Sequence, residues 1–312
     1  MARPDSTVSP PPANPAAQVG TMVVLYATAY PALAYALPAF GIAWSAFLRS
    51  AISVAAIAAI LGAMRRPIFT APLADQLRGI LLGAVCLGPY VLLAVYALES
   101  IPPGEVTVFA ATIPLWVLVI VTALGDRPPW VEGIGAVVGF GGVVLVALGG
   151  HRGAAAGPIV GTAAVLAAAA LYALDTVAGR RWFSADRLVS LEFHQMLGAS
   201  LALIPVIVLA GPAFGAWTNP TAAGAIVWVG VVATGVPLTL WFVLLGRGQA
   251  AAVSVYLLLT PIVALAISYV LFREPVTLLQ GVGVAIILFG SWMAHRGQLK
   301  VHPHSHRGPI PH

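Results

Sequence analysis

Charged residues are scarce in this chain. Asp, Glu, Lys and Arg make up 8% of the 312 residues, whereas a soluble globular protein carries roughly 25%. The stretch 6–48 contains no charged residue at all. Hydrophobic residues reach 60% and the mean hydropathy is +0.97. Because a soluble chain of this length needs a polar surface, this composition predicts that most of the protein lies in lipid.

Lysine and cysteine occur once each, and both shortages exclude kinds of site. The only lysine, Lys300, lies in "GQLKVHP", so this chain has no phosphate-binding loop with its lysine and is not an ATP-driven pump. The only cysteine, Cys86, lies in an apolar run, which excludes an intrachain disulfide and a cysteine zinc site. We expect no cofactor and no metal ion.

Enzyme motifs are also absent. The sequence has no His-Glu-x-x-His, no Gly-x-Ser-x-Gly and no paired catalytic carboxylates. We therefore expect that the protein is not an enzyme. The alternatives that stay open are an intramembrane lipid-active enzyme, a membrane sensor and a channel. The basic residues lie singly or in pairs between apolar runs, which argues against nucleic acid as a partner.

Turn residues and charges divide the apolar sequence into ten segments of about 20 residues, the length that spans a bilayer. The predicted fold is therefore an all-α integral membrane protein. The predicted helices are 18–36, 40–63, 78–98, 104–124, 130–149, 157–178, 187–210, 221–245, 250–271 and 276–295. Residues 1–17 form a proline-rich tail and residues 296–312 a histidine-containing tail, both expected to be disordered. For His302, His304 and His306, a disordered tail is favoured over a metal site.

The basic residues indicate the orientation in the membrane. With both termini in the cytoplasm, twelve of the fifteen basic residues fall inside, two fall outside and Arg49 lies within a helix. The outer two are Arg152 and Arg273. Since positive loops stay on the cytoplasmic side, the sequence predicts a multi-pass protein of the cell (inner) membrane with both termini inside.

One stretch of sequence occurs twice. "VTVFAATIPLWVLVIVTALGDRP" at 106–128 is echoed by "VSVYLLLTPIVALAISYVLFREP" at 253–275, and "EGIGAVVGFGG" at 132–142 by "QGVGVAIILFG" at 280–290. The copies are five predicted helices apart. Because successive helices cross the membrane in opposite directions and five is an odd number, one copy is inverted relative to the other. This predicts two inverted five-helix repeats, at 18–149 and 157–295, joined by a linker at 150–156.

These residues resemble a known family. A proline-centred helix, an acidic turn ("GDRP", "FREP") and a Gly-x-Gly helix that ends in Phe-Gly are similar to the EamA-type drug/metabolite transporters. The resemblance extends from about residue 20 to 295. It implies ten helices in two inverted repeats, and the export of small metabolites or drugs. Two features depart from the pattern: Asp126 precedes its arginine whereas Glu274 follows one, and Glu105 stands where the second copy has Ala252.

Arg49 is the most informative polar residue, because a charge deep in lipid is costly unless it is paired or hydrated. It lies ~13 Å into the second predicted helix, near the midplane. Its counterpart in the other repeat is Gln195. We interpret the pair as part of a cavity in which Arg49 binds an anionic group such as a carboxylate. The alternative is that Arg49 only ties helices together.

Four further residues are candidates for proton coupling: Glu192, His194, Asp175 and Glu105. Glu192 and His194 point to different sides of one helix. For Glu192 and His194 the alternative is snorkelling or pairing with one of the basic residues Arg180, Arg181 and Arg187. For Asp175 the alternative is pairing with Arg180 or Arg181, and for Glu105 helix capping is the favoured interpretation.

Aromatic residues away from the helix ends are candidates to line the cavity: Tyr26, Tyr30, Tyr90, Tyr96, Trp116, Tyr172 and Trp241. The small residues of "GAVVG" at 135–139 predict close helix packing, within the chain or in a homodimer. The sequence thus predicts an exporter of amino acids, related metabolites or drugs by alternating access. Proton exchange and the solute's own gradient are the two candidate driving forces.

Overall fold

The protein is helical throughout the part of the chain that the computed structural model describes. That part is residues 15–65, 68–69, 71–150, 156–183, 188–240, 259–273 and 275–298. Its helices are α1 (Pro15–Ala27), α2 (Ala29–Ala63), α3 (Leu73–Leu82), α4 (Gly88–Ala97), α5 (Pro103–Ala110), α6 (Ile113–Ala123), α7 (Trp130–Gly150), α8 (Ala156–Trp182), α9 (Leu188–Ala210), α10 (Pro220–Val227), α11 (Thr260–Phe272) and α12 (Leu278–Gln298).

Seven helical stretches in the described ranges are long and apolar enough to cross a membrane. They are Ala17–Ala63, Leu73–Ala97, Pro103–Ala123, Trp130–Gly150, Pro158–Trp182, Leu191–Ala210 and Pro220–Leu240. Two shorter apolar helices, Thr260–Phe272 and Leu278–Met293, accompany them. The sequence prediction of a helical membrane protein is therefore confirmed.

The first stretch, Ala17–Ala63, doubles back on itself at Gly41, where φ is 68°. Trp228 Nε1 donates a hydrogen bond to Thr28 Oγ1 at 3.0 Å, and Ser53 Oγ donates one to the carbonyl of Gly230 at 3.0 Å. In an unbroken helix Thr28 and Ser53 would lie about 37 Å apart. They nevertheless contact Trp228 and Gly230, which are only two residues apart in the sequence. The two arms on either side of Gly41 thus lie against the same helix.

The prediction had ended the first helix at residue 36, and the helix instead continues to Gly41. Pro38 is accommodated within α2, whereas Gly41 adopts a positive φ that side chains with a Cβ disfavour. Two other predicted ends also differ. α3 begins at Leu73 rather than at 78, and α12 extends to Gln298 rather than 295. The expectations for 1–14, 151–155 and 299–312 lie outside the described residues.

Prolines set the irregular points of several helices. π-helical turns at Gly83–Leu87 and Trp228–Gly235 come just before Pro89 and Pro237. In these turns the N–H of Gly88 bonds the carbonyl of Gly83, and the N–H of Val236 bonds that of Val231. Because a proline has no N–H to donate to the residue four before it, the wider turn absorbs the missing bond.

The echoed segments adopt the same local structure. α6 begins after Thr112 with Pro114 in its first turn, and α11 begins after Leu259 with Pro261 in its first turn. Ser291 Oγ donates a hydrogen bond at 3.1 Å to the carbonyl of Ala111, just before the break in the first copy. Pro205, by contrast, remains inside α9.

Helices from the two halves of the chain pack against each other. α2 contacts α9 and α10, α3 contacts α9, α4 and α6 contact α8, α1 and α5 contact α11, and α7 contacts α12. Glycines of both helices lie in the contact of α7 with α12. A Cβ on Gly142 would lie 2.7 Å from the carbonyl oxygen of Gly283, and one on Gly290 would lie 2.5 Å from that of Gly135. The small residues of 135–139 therefore serve a contact within the chain, whereas the homodimer stays a prediction.

We expect Gly142→Ala to lower the stability of the protein in detergent by about 1–3 kcal/mol, because the methyl group would overlap the backbone of α12. Gly141→Ala is the matched control, since a Cβ there meets nothing within 4 Å. The control should be neutral or slightly stabilising, because alanine is the better helix former. Thermal unfolding of both variants measures the difference, and equal unfolding temperatures would contradict the close contact.

Candidate functional site

Arg49 lies in the middle of the bundle. Its carbonyl is 3.4 Å from where a Cβ on Gly230 would lie, and Gly230 is the central residue of the stretch Pro220–Leu240. The side chain is 7% exposed. The guanidinium carbon is 5.6 Å from the ring centre of Tyr30 and 6.0 Å from that of Tyr90. At these distances the negative faces of both rings attract the cation.

The guanidinium is short of hydrogen-bond partners. Nε and Nη1 of Arg49 are buried and have none among the described residues. In the same part of the chain the ion pairs are Arg78 with Asp75 and Arg181 with Asp126. Arg49 thus forms no ion pair with a described carboxylate. A guanidinium stays protonated in proteins and two unmet donors at depth are costly, so this group is suited to an anion that arrives with a ligand.

Two tyrosines contact the guanidinium, and two more lie next to these. The hydroxyl oxygens of Tyr30 and Tyr90 are 3.1 Å apart, and the ring centres of Tyr90 and Tyr172 are 5.0 Å apart. Tyr26 interacts electrostatically with Arg49 and Tyr90, and Tyr172 interacts with Tyr26. We call Tyr26, Tyr30, Tyr90 and Tyr172 the tyrosine cluster. It offers aromatic faces for an apolar group and hydroxyls for polar atoms.

Two acidic residues, Asp175 and Glu192, are neighbours of the cluster. Gln195 Nε2 donates a hydrogen bond at 2.8 Å to Asp175 Oδ1, and both residues are buried. Glu192 interacts electrostatically with Tyr26, Tyr172 and Asp175. The predicted candidates Arg49, Gln195, Glu192 and Asp175 are therefore grouped around the tyrosine cluster, with the positive charge on α2 and the negative charges on α8 and α9.

Glycines let the helices approach closely at this site. A Cβ on Gly83, in the first π-helical turn, would overlap the backbone of Gln195. A Cβ on Gly230, in the second, would lie 2.5 Å from Cβ of Ile52 and close to the carbonyl of Arg49. The two glycines thus contact the backbones beside Gln195 and Arg49, respectively. Sequence reasoning had missed them, although Gly83 and Gly230 are 147 residues apart, the offset of the echoed segments.

Two predicted proton-coupling residues lie elsewhere. His194 is 2% exposed, its Nε2 is 3.3 Å from Gln76 Oε1, and its ring packs against Phe69 and Phe193. Glu105 lies in the first turn of α5, and its Oε1 accepts a 2.6 Å hydrogen bond from Nε2 of Gln280 on α12. Gln280 carried no signal in the sequence that would have linked it to Glu105.

Two predicted aromatic residues, Trp116 and Tyr96, have no ring contact and no hydrogen bond with the tyrosine cluster among the described residues. Trp116 packs on Phe140, with ring centres 5.1 Å apart. Tyr96 is 38% exposed. Trp241 lies outside the described residues.

The sequence matches the EamA-like transporter family twice, at residues 19–148 and at residues 159–295. One similar protein is a probable terminal-alkyne amino-acid exporter of Streptantibioticus cattleyicolor, 27% identical over 89% of this chain and 92% of its own. An uncharacterised transporter of Archaeoglobus fulgidus is 26% identical over 63% of this chain and 69% of its own. One solved crystal structure covers 92% of this chain and 98% of its own, with a TM-score of 0.63 and 21% identity, which supports the fold alone.

The two family matches together cover most of the 312 residues. They agree with the apolar helices and with the polar group of residues inside the bundle. The relatives that carry a functional name are transporters rather than enzymes. This chain belongs to the EamA-like transporter family and is a multi-pass membrane transporter.

Proposed function

We propose that the protein exports small solutes that carry a carboxylate, such as amino acids or related metabolites, by alternating access. The observation that carries the proposal is Arg49. Its guanidinium is buried beside two tyrosine rings, and its Nε and Nη1 have no hydrogen-bond partner among the described residues. A solute carboxylate supplies the two acceptors that a guanidinium fork binds in parallel. One relative's name, a probable terminal-alkyne amino-acid exporter, agrees with this solute class.

We further propose ten membrane-spanning helices in two inverted five-helix repeats. The contact of α7 with α12 supports this. In the echoed sequence Gly135 corresponds to Gly283 and Gly142 to Gly290. The observed contacts pair Gly142 with Gly283 and Gly135 with Gly290, so exchanging the halves turns one contact into the other. The pairs run in opposite directions along the two helices, as expected for a two-fold axis in the membrane plane.

The site has the same symmetry. Arg49 and Gln195 are sequence counterparts, and so are Tyr26 and Tyr172. Arg49 lies against Gly230 and Gln195 lies against Gly83, so each contacts a π-helical turn from the opposite half. Tyr26 and Tyr172 both belong to the tyrosine cluster. A site shared equally between two halves can open to either side when the halves rock. The two π-helical turns are candidate hinges, because such turns have weaker backbone bonding than an α-helix.

Two driving forces remain proposals: proton exchange through Glu192 or Asp175, and the solute's own gradient. Both acids lie beside the tyrosine cluster, whereas His194 and Glu105 are engaged elsewhere. We place the transporter in the cell membrane with both termini in the cytoplasm.

The test is counterflow in liposomes that hold the purified protein. Vesicles loaded with an unlabelled neutral L-amino acid should transiently accumulate the labelled amino acid from outside, without ATP and with saturation. A carrier shows such exchange because each turnover returns a loaded site, whereas an open channel only equilibrates the label. The panel includes L-phenylalanine and L-leucine, with and without a pH gradient. Protein-free liposomes are the control, and no counterflow with any amino acid or related carboxylate would overturn the proposal.

A further inference from the structure

Ser53 connects the turn of α2 that carries Arg49 to the second half of the chain. It lies four residues after Arg49 on the same helix and is 0% exposed. Its Oγ is 2.7 Å from the carbonyl oxygen of Arg49 and 3.0 Å from that of Gly230. Because a serine hydroxyl has a single proton to donate, the two carbonyls share it. The hydroxyl therefore joins the backbone of Arg49 to the π-helical turn at Trp228–Gly235.

Two glycines bring this π-helical turn within reach of the hydroxyl. A Cβ on Gly230 would lie 2.5 Å from Cβ of Ile52, and one on Gly235 would lie 2.8 Å from Cβ of Ala56. The turn thus lies directly against α2 at the residues before and after Ser53. A side chain at position 230 would push the two backbones apart and lengthen the hydrogen bond from Ser53 to the carbonyl of that residue.

The equivalent contact in the other half has no such hydroxyl. Gln195 is the sequence counterpart of Arg49, and the residue four positions after it is Ala199. Gly83 nevertheless packs against the backbone of Gln195, as Gly230 packs beside Arg49. The close approach of a glycine is therefore common to both halves, whereas the serine occurs only next to the charged residue. Helix packing alone does not account for this difference, because alanine satisfies it in the second half.

We propose that Ser53 is a positioning residue for Arg49. Its hydroxyl holds the Arg49 turn of α2 against the π-helical turn, which keeps the guanidinium aligned with the carboxylate of the solute. The inference rests on the proposed transport function and adds a residue to its site. The bond to the carbonyl of Arg49 lies within α2, so the hydroxyl keeps a partner when the halves rock and Gly230 moves away. The connection can therefore open and close at low cost during alternating access.

Ser53→Ala tests the proposal, because it removes the hydroxyl and little volume. Counterflow of labelled L-phenylalanine into liposomes measures the effect. We expect the half-saturating concentration to rise about twofold to tenfold, the contribution of one hydrogen bond. The maximal rate should stay near that of the native protein, because the hydroxyl acts on the alignment of the binding group. A hydroxyl that only stabilises the fold would instead lower the unfolding temperature and leave the half-saturating concentration unchanged.

Ser50→Ala is the matched control. Ser50 lies on the same helix and is also 0% exposed. Its Oγ donates a hydrogen bond at 3.2 Å to the carbonyl of Ala46, which is likewise four residues earlier. It has no hydrogen bond to the second half among the described residues. The control therefore removes the same hydroxyl and the same kind of bond within the helix, and should leave the half-saturating concentration unchanged.

A double variant tests whether Ser53 acts through Arg49. In an Arg49→Gln background the guanidinium is gone, so Ser53→Ala should cause no further rise in the half-saturating concentration. Substitutions that act independently have effects that add, whereas substitutions in one coupled unit do not. Additive effects would mean that the hydroxyl influences binding by another route, and they would overturn the assignment.

The remaining outcomes separate this inference from the proposed function. An unchanged half-saturating concentration in Ser53→Ala, or an equal rise in Ser50→Ala, overturns the positioning role and leaves the carboxylate transporter standing. A lower maximal rate at an unchanged half-saturating concentration also overturns it, because the contact then acts on the rocking of the halves. Failure of the native protein to exchange any carboxylate overturns the proposed function itself.

Discussion

Arg49→Gln should give a folded, membrane-inserted protein that binds amino acids and their N-acetyl derivatives about tenfold to a hundredfold more weakly. Glutamine keeps hydrogen-bonding atoms but no charge, so a carboxylate loses a charge-assisted bond worth about 1.5–3 kcal/mol. Since both solute forms contain the carboxylate, both should lose affinity.

Stability distinguishes this role from a purely structural one. Nε and Nη1 of Arg49 have no hydrogen-bond partner among the described residues, so removing the charge costs the attraction to the Tyr30 and Tyr90 rings but no ion pair with a described carboxylate. The variant should therefore unfold at about the temperature of the native protein. If Arg49 only ties helices together, the same substitution should instead lower the unfolding temperature and the yield in detergent.

Two further variants complete the experiment. Arg49→Lys should rescue binding only in part, because an ammonium is a point charge and cannot replace a bidentate fork. Arg78→Gln removes the same charge from an exposed arginine that pairs with Asp75, and should leave binding unchanged. Normal transport by a stable Arg49→Gln protein would exclude Arg49 from the binding site.

Composition and spacing predicted the helices well, because the exclusion of charge from lipid is a strong constraint. They did not predict which side of each helix faces the interior of the protein. In a soluble helix the apolar stripe marks the buried side, but here almost every position is apolar. Tyr90 and Tyr96 lie on the same stretch, Leu73–Ala97, and were equal candidates. Tyr90 lies in the cluster, whereas Tyr96 is exposed.

The sequence also did not predict the contacts between helices that are distant in the chain. The hydrogen bond of Gln280 to Glu105 joins residues 175 positions apart, and no local pattern specifies such a pair. The break between the first two predicted helices, between residues 36 and 40, lies within five residues of the observed break at Gly41, whose positive φ depends on the absence of a Cβ. Arg49, by contrast, was chosen as a candidate because a lone charge in an apolar run is rare, and it is buried in the structure.

The orientation in the membrane gives the last prediction, and its effect is all or none. At one end of the bundle Arg181 forms an ion pair with Asp126 at 3.0 Å. At the other end Trp44 Nε1 donates to the carbonyl of Gly211 at 2.7 Å, and Phe40 packs on Trp217. The sequence prediction assigns Arg181 to the cytoplasmic side together with eleven other basic residues, so we assign the Arg181 end to the cytoplasm.

Single cysteines in a Cys86→Ala background test this assignment in intact cells. Thr218→Cys, in the exposed turn before α10, should react fully with a membrane-impermeant maleimide added outside. His304→Cys, in the C-terminal tail, should react only after the membrane is permeabilised. Both positions are uncharged in the native chain, so neither substitution alters the charge balance that sets the orientation. Labelling of position 304 from outside, or protection of position 218, would invert the assigned orientation and with it the direction in which Arg49 receives its solute.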